Sequence, residues 1–178
     1  MLKIAITGNI ASGKSTVEKI LESEGFKVYD TDKIAHEILE TNPDVKREFG
    51  TTNRSQIAKI VFSNPEKLRL LESIIHPLVK QELEKIFNTE SDIAFISVPQ
   101  LFETGFDKFF DKIIYVTADD SIRKERLMKR NSLSLEEAQT RINAQSELGK
   151  KEKSDFVIEN NYDYENLKQQ VLNIINNL

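Results

Sequence analysis

The stretch from Gly8 to Thr16 fits the pattern G-x-x-x-x-G-K-[ST], the signature of a loop that cradles phosphate groups with its backbone N–H groups. The apolar run Leu2–Thr7 before it predicts a buried strand, and an i, i+3, i+4 apolar stripe from Val17 predicts a helix after it. This context predicts a nucleoside triphosphate site on one segment, called the P-loop below, which comprises Gly8, Asn9, Ile10, Ala11, Ser12, Gly13, Lys14, Ser15 and Thr16.

The residue types of the P-loop suit a triphosphate. Gly8 and Gly13 permit positive φ angles and a close approach that a Cβ would obstruct. A helix that starts near Lys14 presents unpaired N–H groups and a partial positive charge to phosphate. Lys14 can reach the β- and γ-phosphates, and the Ser15 hydroxyl can ligate Mg²⁺, so Mg²⁺ is the predicted cofactor beside ATP.

A second acidic motif, Asp30-Thr31-Asp32, lies where the second predicted strand ends. Residues i and i+2 of a strand project to the same side, so both carboxylates would face the P-loop if strands one and two are neighbours. One of them could accept the proton of an attacking hydroxyl. Asp32 could also hold Mg²⁺ through a water. The alternative is that Asp32 caps a helix that starts near Lys33, since Asp is a preferred N-cap residue.

Alternating strand and helix patterns predict an α/β fold with a five-stranded parallel sheet between two helical layers. The apolar runs that predict strands are Leu2–Thr7, Lys27–Asp30, Ile93–Val98, Lys112–Thr117 and Phe156–Glu159.

The helical segments between these strands divide a single domain, 1–178, into three parts. Residues 33–88 show no clear strand and predict a helical insertion beside an acceptor site. Residues 120–153, with a capping box from Ser134 to Glu137, predict a helical pair that forms a lid. The predicted core comprises residues 1–32, 89–119 and 154–178.

Composition narrows the classes of function. The 178 residues contain no cysteine, which excludes disulfides and fits a reducing compartment. No signal peptide or long apolar run is evident, so we expect a cytoplasmic protein without a membrane segment. The net charge of −4 argues against a nucleic-acid partner. Nine basic and five acidic residues between Ser121 and Lys153 nevertheless indicate a small polyanion site or a solvated helix surface.

Several motifs, taken in order along nearly the whole chain, resemble the dephospho-CoA kinase family. The P-loop frame alone is shared by many enzymes, whereas the set of motifs is specific. They are T-G-N-I-A-S-G-K-S-T at 7–16, D-T-D at 30–32, H-P-L at 76–78, V-P-Q-L-F-E at 98–103, R-L-M-K-R at 126–130, R-I-N-A-Q at 141–145 and D-F-V-I-E-N-N at 155–161.

The resemblance implies a phosphotransferase of the P-loop kinase fold that uses ATP to phosphorylate the ribose 3′-hydroxyl of dephospho-CoA. It implies a helical insertion for the acceptor and a mobile lid. Asp32 matches the proposed base and Arg130 a lid arginine near the transferred phosphate. Arg141 and Asn160 fall near the nucleotide. The implied acceptor-binding residues are Asp30, Asp32, His76, Leu101 and Glu103.

Some positions leave alternatives open. Ala11 stands where the family has glycine, so it requires either a negative φ or mild strain. His76 either caps a helix that starts at Pro77 or contacts acceptor phosphates. Glu103 either pairs with a basic residue or lines the acceptor site.

Two other classes of function compete with this interpretation. The first is another small-molecule kinase, such as a nucleoside monophosphate kinase, and the second is a nucleotide-binding switch. The sequence lacks the [NT]-K-x-D motif of switch GTPases, which counts against the second.

Overall fold

A computed structural model describes residues 1–90, 92–145 and 149–178 of the chain. Two units make up the structure: Met1–Tyr29 with Asp92–Leu178, and Asp30–Ser91. The first unit contains the P-loop and the predicted lid, and the second contains the predicted insertion. The stretch 146–148 of the predicted lid lies outside the described residues, as does position 91 of the predicted core.

A five-stranded sheet forms the centre of the first unit, in the order β2-β3-β1-β4-β5. The pairs β1–β3, β1–β4 and β4–β5 are parallel, with Ile4 opposite Phe95 on one side and Lys112 on the other. All five strand predictions are confirmed, at β1 Leu2–Gly8, β2 Val28–Asp30, β3 Ile93–Ser97, β4 Lys112–Thr117 and β5 Phe156–Glu159. The condition set for the acidic motif, that strand two neighbours strand one, is not met, because β3 lies between β2 and β1.

Helices lie on both sides of the sheet, which confirms the predicted α/β class. On one side α1 (Lys14–Ser23) and α8 (Tyr164–Ile175) bury apolar stripes against strand side chains. Each fully buried aliphatic side chain of this kind contributes about 1.5–3 kcal/mol relative to exposure. The shared core consists of Ile4, Ile6, Val17, Ile20, Leu21, Phe95, Ile114, Val116, Ile158, Leu167, Val171 and Ile174.

Two further helices of the first unit, α6 (Asp120–Asn131) and α7 (Leu135–Asn143), form the predicted pair. The Ser134–Glu137 capping box is present, since each residue bonds the backbone N–H of the other. A short 3-10 helix, Phe106–Phe109, precedes β4. No helix in the described part of the chain is long and apolar enough to cross a bilayer.

The second unit consists of helices, as the sequence predicts. Asn42 and Asn64 accept backbone N–H groups as N-caps, each ahead of a proline at the first helical position. Its helices are α2 Thr31–Thr41, α3 Pro43–Phe49, α4 Arg54–Phe62 and α5 Pro65–Thr89.

The predicted helix start at Pro77 is wrong, because Pro77 lies inside the 25-residue helix α5. Proline has no backbone N–H, so it removes one hydrogen-bond donor from the interior of the helix, where proline is usually avoided. Buried side chains before and after it, Ile75 and Val79, anchor the same helix on both sides of the proline. His76 is therefore an interior helix residue and caps nothing.

Candidate active site

The P-loop joins β1 to α1 and passes twice through positive φ angles, +60° at Ala11 and +98° at Gly13. A Cβ on Gly13 would lie 1.9 Å from Asn160 Nδ2, and one on Gly8 would lie 2.4 Å from the Val116 carbonyl oxygen. Close packing therefore requires glycine at both positions.

Ala11 adopts the strained alternative that the sequence left open. An L-residue in the left-handed region carries a cost of roughly 1–2 kcal/mol, so other contacts must hold Ala11 there. Ile10 and Ala11 pack against the apolar cluster between α6 and α7, which consists of Leu127, Ala138 and Ile142. The helical pair thus supports the loop directly.

Lys14 is held at the start of α1 by two acceptors. Its Nζ lies 2.7 Å from Glu18 Oε1, one turn along the helix, and it also donates to Ser97 Oγ. Ser97 ends β3, the strand that pairs with β1, so its hydroxyl lies beside the loop. These contacts keep the ammonium group at the phosphate-binding end of the helix.

The first turn of α1 offers backbone donors to an anion. The Gly13 carbonyl accepts the N–H groups of Thr16 and Val17, at 2.9 and 3.3 Å. Those of Lys14 and Ser15 have no acceptor within the helix, as at any helix start. Together with the helix dipole, they form the kind of site that binds phosphate.

Arg126 and Asn160 bind the outer, carbonyl side of the P-loop. Arg126 Nη1 lies 3.3 Å from the carbonyl oxygens of both Ala11 and Ser12, and Nη2 donates to the Asn160 carbonyl at 2.9 Å. Asn160 Nδ2 donates to the Ser12 carbonyl at 2.9 Å. Burial lowers the pKa of the Arg126 guanidinium, although Glu125 nearby opposes this. The group remains a cation, because an arginine does not deprotonate in proteins.

Arg123 binds a further carbonyl of the P-loop, that of Ile10. It is almost fully buried, and its Nε donates to the Ile10 carbonyl at 3.0 Å while Nη1 pairs with Asp120 at 3.1 Å. Gln145 Oε1 accepts the N–H of Ile10 at 2.6 Å. We call the three residues that donate side-chain hydrogen bonds to P-loop carbonyls the backbone clamp; they are Arg123, Arg126 and Asn160.

Lys150 joins the P-loop to the segment after β3. Its Nζ lies 3.1 Å from Asn9 Oδ1 and 2.6 Å from Glu103 Oε1. Only 10% of the Lys150 side chain is exposed, so this pair is screened less than a surface pair. Of the two roles left open for Glu103, the structure shows pairing with a basic residue. Lys150 is thus a largely buried residue that contacts the P-loop, and it does not lie on a solvated helix surface.

The acidic motif of the second unit departs from its predicted geometry. Asp30 ends β2 and is the N-cap of α2, and its Oδ1 accepts the N–H of Asp32 at 2.8 Å. Asp32 lies in the first turn of α2, with an exposed side chain. The capping alternative for Asp32 is therefore wrong, as is the i, i+2 strand argument, because the chain turns helical at Thr31.

The remaining predicted site residues lie on helices or in the interior. Arg130 is exposed near the end of α6 and bonds the Asn131 side chain at 3.0 Å, and Arg141 is exposed in the last turn of α7. His76 is half-buried in α5. Leu101 is fully buried, which suits packing beneath the Glu103 segment more than contact with a ligand.

The residues present fit a magnesium ion that arrives with a nucleotide. No group of three or more His, Cys, Asp and Glu side chains within the described ranges could hold a metal ion. Mg²⁺ in phosphoryl-transfer sites is held by one or two protein ligands plus phosphates and waters. The exposed Ser15, in the first turn of α1, is a suitable protein ligand.

Sequence reasoning did not single out several of these contacts. Arg126 and Gln145 lie inside quoted motifs, but no role was predicted for either residue. Lys150 was counted among the nine basic residues between Ser121 and Lys153, for which a polyanion site and a solvated helix surface were both left open. The partners of Arg126, Gln145 and Lys150 in the P-loop lie more than 100 positions away along the chain, so local patterns carry no signal for them.

The chain is similar to known proteins both in sequence and in structure. A family model described as dephospho-CoA kinase matches residues 2–166. The dephospho-CoA kinase of Fusobacterium nucleatum subsp. nucleatum is 41% identical over an alignment of 182 positions, gaps included, that covers 94% of this chain and 94% of that protein.

Two solved structures align over nearly the full length. One, from Thermus thermophilus, has a TM-score of 0.85 and 35% identity and covers 99% of this chain and 97% of that chain. The other, a dephospho-CoA kinase from Campylobacter jejuni, has a TM-score of 0.75 and 31% identity and covers 98% of this chain and 95% of that chain. The resemblance inferred from the motifs is confirmed, and the chain belongs to the dephospho-CoA kinase family.

Proposed function

We propose that this protein transfers the γ-phosphoryl group of ATP to the ribose 3′-hydroxyl of dephospho-CoA, which yields coenzyme A. The observation that carries the proposal is the P-loop, whose carbonyls are bound from outside while N–H groups of the first turn of α1 remain available to an anion. Membership of the dephospho-CoA kinase family supplies the acceptor.

On the ATP side, the P-loop binds the triphosphate and Lys14 neutralises its β- and γ-phosphates. Arg130 stabilises the charge that develops on the transferred group. Arg130 lies four residues after Arg126 on α6, and therefore on the same helix face as a residue that reaches the loop. Ser15, and Asp32 through a water, would hold the Mg²⁺ ion that arrives with ATP, and the ion would supply charge neutralisation for the phosphates.

On the acceptor side, Asp32 orients the 3′-hydroxyl and accepts its proton. Asp30 is engaged as the N-cap of α2, which supports Asp32 over Asp30 as the base. His76 contributes to the acceptor site from α5. Most of the catalytic effect comes from positioning and electrostatic stabilisation, as is general for phosphoryl transfer.

The test is incubation of the protein with Mg-ATP and dephospho-CoA, followed by mass spectrometry of the acceptor. We expect one added phosphate and an equal amount of ADP. The product should resist periodate, because phosphorylation of the ribose removes its vicinal diol, and ³¹P–¹H correlation should place the phosphate at the 3′ position. Lys14→Met serves as the inactive control. Phosphate transfer to a nucleoside monophosphate in preference to dephospho-CoA would contradict the proposal.

A further inference from the structure

The backbone clamp binds one side of the P-loop only. Arg123, Arg126 and Asn160 all donate to its carbonyl oxygens. In a planar trans peptide the C=O and N–H bonds point in opposite directions, so a donor fixed on the carbonyl side turns the N–H toward the other side. The clamp thereby turns the N–H groups of Ala11 and Gly13 away from the carbonyl side, whereas the N–H of Ser12 is bound by the Asn9 carbonyl at 3.1 Å, which closes a turn within the loop.

Ala11 is the loop position with the strongest need for such support. It is one of only two non-glycine residues with positive φ in the described ranges, and it stands where the family pattern has glycine. Relaxation of its backbone to a negative φ would rotate the adjoining peptide groups out of the cradle. Arg126 Nη1 is bound to the Ala11 carbonyl itself, and to that of Ser12.

We infer that Arg126 is a positioning residue for the triphosphate, which acts through the backbone by holding Ala11 in its left-handed conformation. This inference rests on the proposed function insofar as ATP is the ligand of the P-loop. It deepens that proposal, because it makes ATP affinity depend on a pair of residues 115 positions apart, Ala11 and Arg126.

A direct contact between the Arg126 guanidinium and the nucleotide is the competing explanation, and Ala11→Gly separates the two. Glycine adopts the left-handed conformation without the steric cost of a Cβ, so the loop of the Ala11→Gly variant needs less support. If Arg126 acts through Ala11, its loss should matter less in the Ala11→Gly background. If Arg126 binds ATP directly, its loss should matter equally in both backgrounds.

The experiment is a double-mutant cycle with Arg126→Met and Ala11→Gly, read out as the Kd for Mg-ATP by calorimetry. We expect Arg126→Met alone to raise Kd about tenfold or more, as for loss of charge-assisted hydrogen bonds. We expect the same substitution in the Ala11→Gly background to raise Kd less than about threefold, because glycine at position 11 adopts the left-handed conformation without strain and needs no support from Arg126. In a kinetic assay the single variant should show a raised KM for ATP, with kcat within about threefold of wild type.

Lys129→Met is the matched control, since it removes a positive charge from an exposed position on the same helix. It should leave Kd unchanged within about twofold, as expected for a screened surface charge. An equal rise in Kd in both backgrounds would overturn the inference in favour of direct contact, and no rise in either would overturn it outright.

Arg126→Lys tests the inference if Arg126→Met does not fold. Lysine keeps the charge but lacks the planar guanidinium that bonds the loop and Asn160 at once, so Arg126→Lys should also raise the Kd for Mg-ATP. That rise should be smaller in the Ala11→Gly background, as for Arg126→Met. The binding readout also separates this inference from the proposed function. A chain that shows the cycle but transfers no phosphate to dephospho-CoA would refute only the proposed function.

Discussion

At the scale of single residues, Asp32 combines an exposed carboxylate with a place at the start of a helix. Its own N–H is bound by Asp30, so the first turn of α2 is capped without the Asp32 side chain. The carboxylate is therefore available for chemistry, and a change there should leave the helix intact.

Asp32→Asn should lower kcat by about 10²–10⁴-fold, because an amide keeps the shape of the side chain but cannot accept the proton. The Kd for Mg-ATP should change by less than about threefold if the residue acts on the acceptor. Steady-state kinetics with dephospho-CoA, together with calorimetry, measure both. Asp44→Asn is the control, since Asp44 holds the equivalent first-turn position in α3 behind Asn42. Wild-type turnover by Asp32→Asn would reject the assignment of the base.

Arg130 is a second residue whose exposure fits a role that begins only with substrate present. We expect Arg130→Ala to slow phosphoryl transfer by ~10³-fold or more, by comparison with arginines that stabilise the transferred group. Single-turnover kinetics at saturating ATP measure the step directly. Lys129→Ala, at the neighbouring exposed position, should leave it unchanged. A loss of less than tenfold would mark Arg130 as a surface residue.

The strand, loop and helix around the P-loop could be predicted from the sequence, because the motif spacing and the apolar patterns beside it are local properties of the chain. The positive φ of Ala11 could not be predicted, since the contacts around this residue come from Arg126 and from the α6–α7 cluster, which are distant in sequence. The partners of Glu103 were equally hidden, because Lys150 follows it by 47 positions. Long-range side-chain pairs of this kind depend on the fold and leave no periodic pattern.

At the scale of elements, strands were predicted where apolar runs are short and bounded, and all five are present. Their order was not predictable from those runs, since strand pairing is decided by crossover connections. The placement of β3 beside β1 brings Ser97 to Lys14. Because β3 and β4 flank β1, the β1–β2 neighbourhood on which the argument for the acidic motif depended is absent. The acidic motif was misplaced for a related reason, because β2 ends at Asp30 and α2 begins at once.

Helix α5 offers the clearest test of an element. Pro77 lies inside it and is exposed, so the proline forgoes a backbone hydrogen bond without burying its ring. Pro77→Ala should therefore raise the free energy of unfolding by about 1–3 kcal/mol, which denaturant titration measures.

Pro65 of the same helix provides a matched control. It lies at the first helical position, where proline is preferred because the N–H would be unpaired in any case. Pro65→Ala should leave stability unchanged or slightly lower. Equal effects of the two substitutions would show that the position of Pro77 within the helix carries no energetic cost.

At the scale of the whole molecule, the charge distribution acquires a structural meaning. The protein is acidic overall, yet nine basic residues fall between Ser121 and Lys153. Three of them surround the P-loop through backbone or side-chain contacts, namely Arg123, Arg126 and Lys150. Part of the local positive excess thus lies at the P-loop.

Stability of the sheet should depend on acidity through Asp155, which lies just before β5. Burial raises the pKa of this carboxyl, but hydrogen bonds from Lys112 Nζ and from the Ile113 N–H, each 2.9 Å long, outweigh it and hold the pKa below its ordinary value. A folded-state pKa below the unfolded one stabilises the protein at every pH above the unfolded value, which is about 3.9 for Asp. That contribution is lost as the pH falls through the lower, folded pKa.

Asp155→Asn should therefore destabilise the protein near neutral pH, because the amide binds Lys112 and the Ile113 N–H less well than a carboxylate. The difference from wild type should stay constant between about pH 5 and pH 7 and shrink as the pH falls below about 4, where the carboxyl of the unfolded wild-type chain takes up its proton before that of the folded protein does. Urea titrations at a series of pH values measure this difference. Lys112→Met removes only one of the two donors to Asp155. It should reduce the change in unfolding free energy with pH without abolishing it, because the Ile113 N–H still favours the ionised carboxyl. A wild-type-to-variant difference that persists unchanged into acid would mean that Asp155 stabilises the β4–β5 edge through its shape and not through its charge.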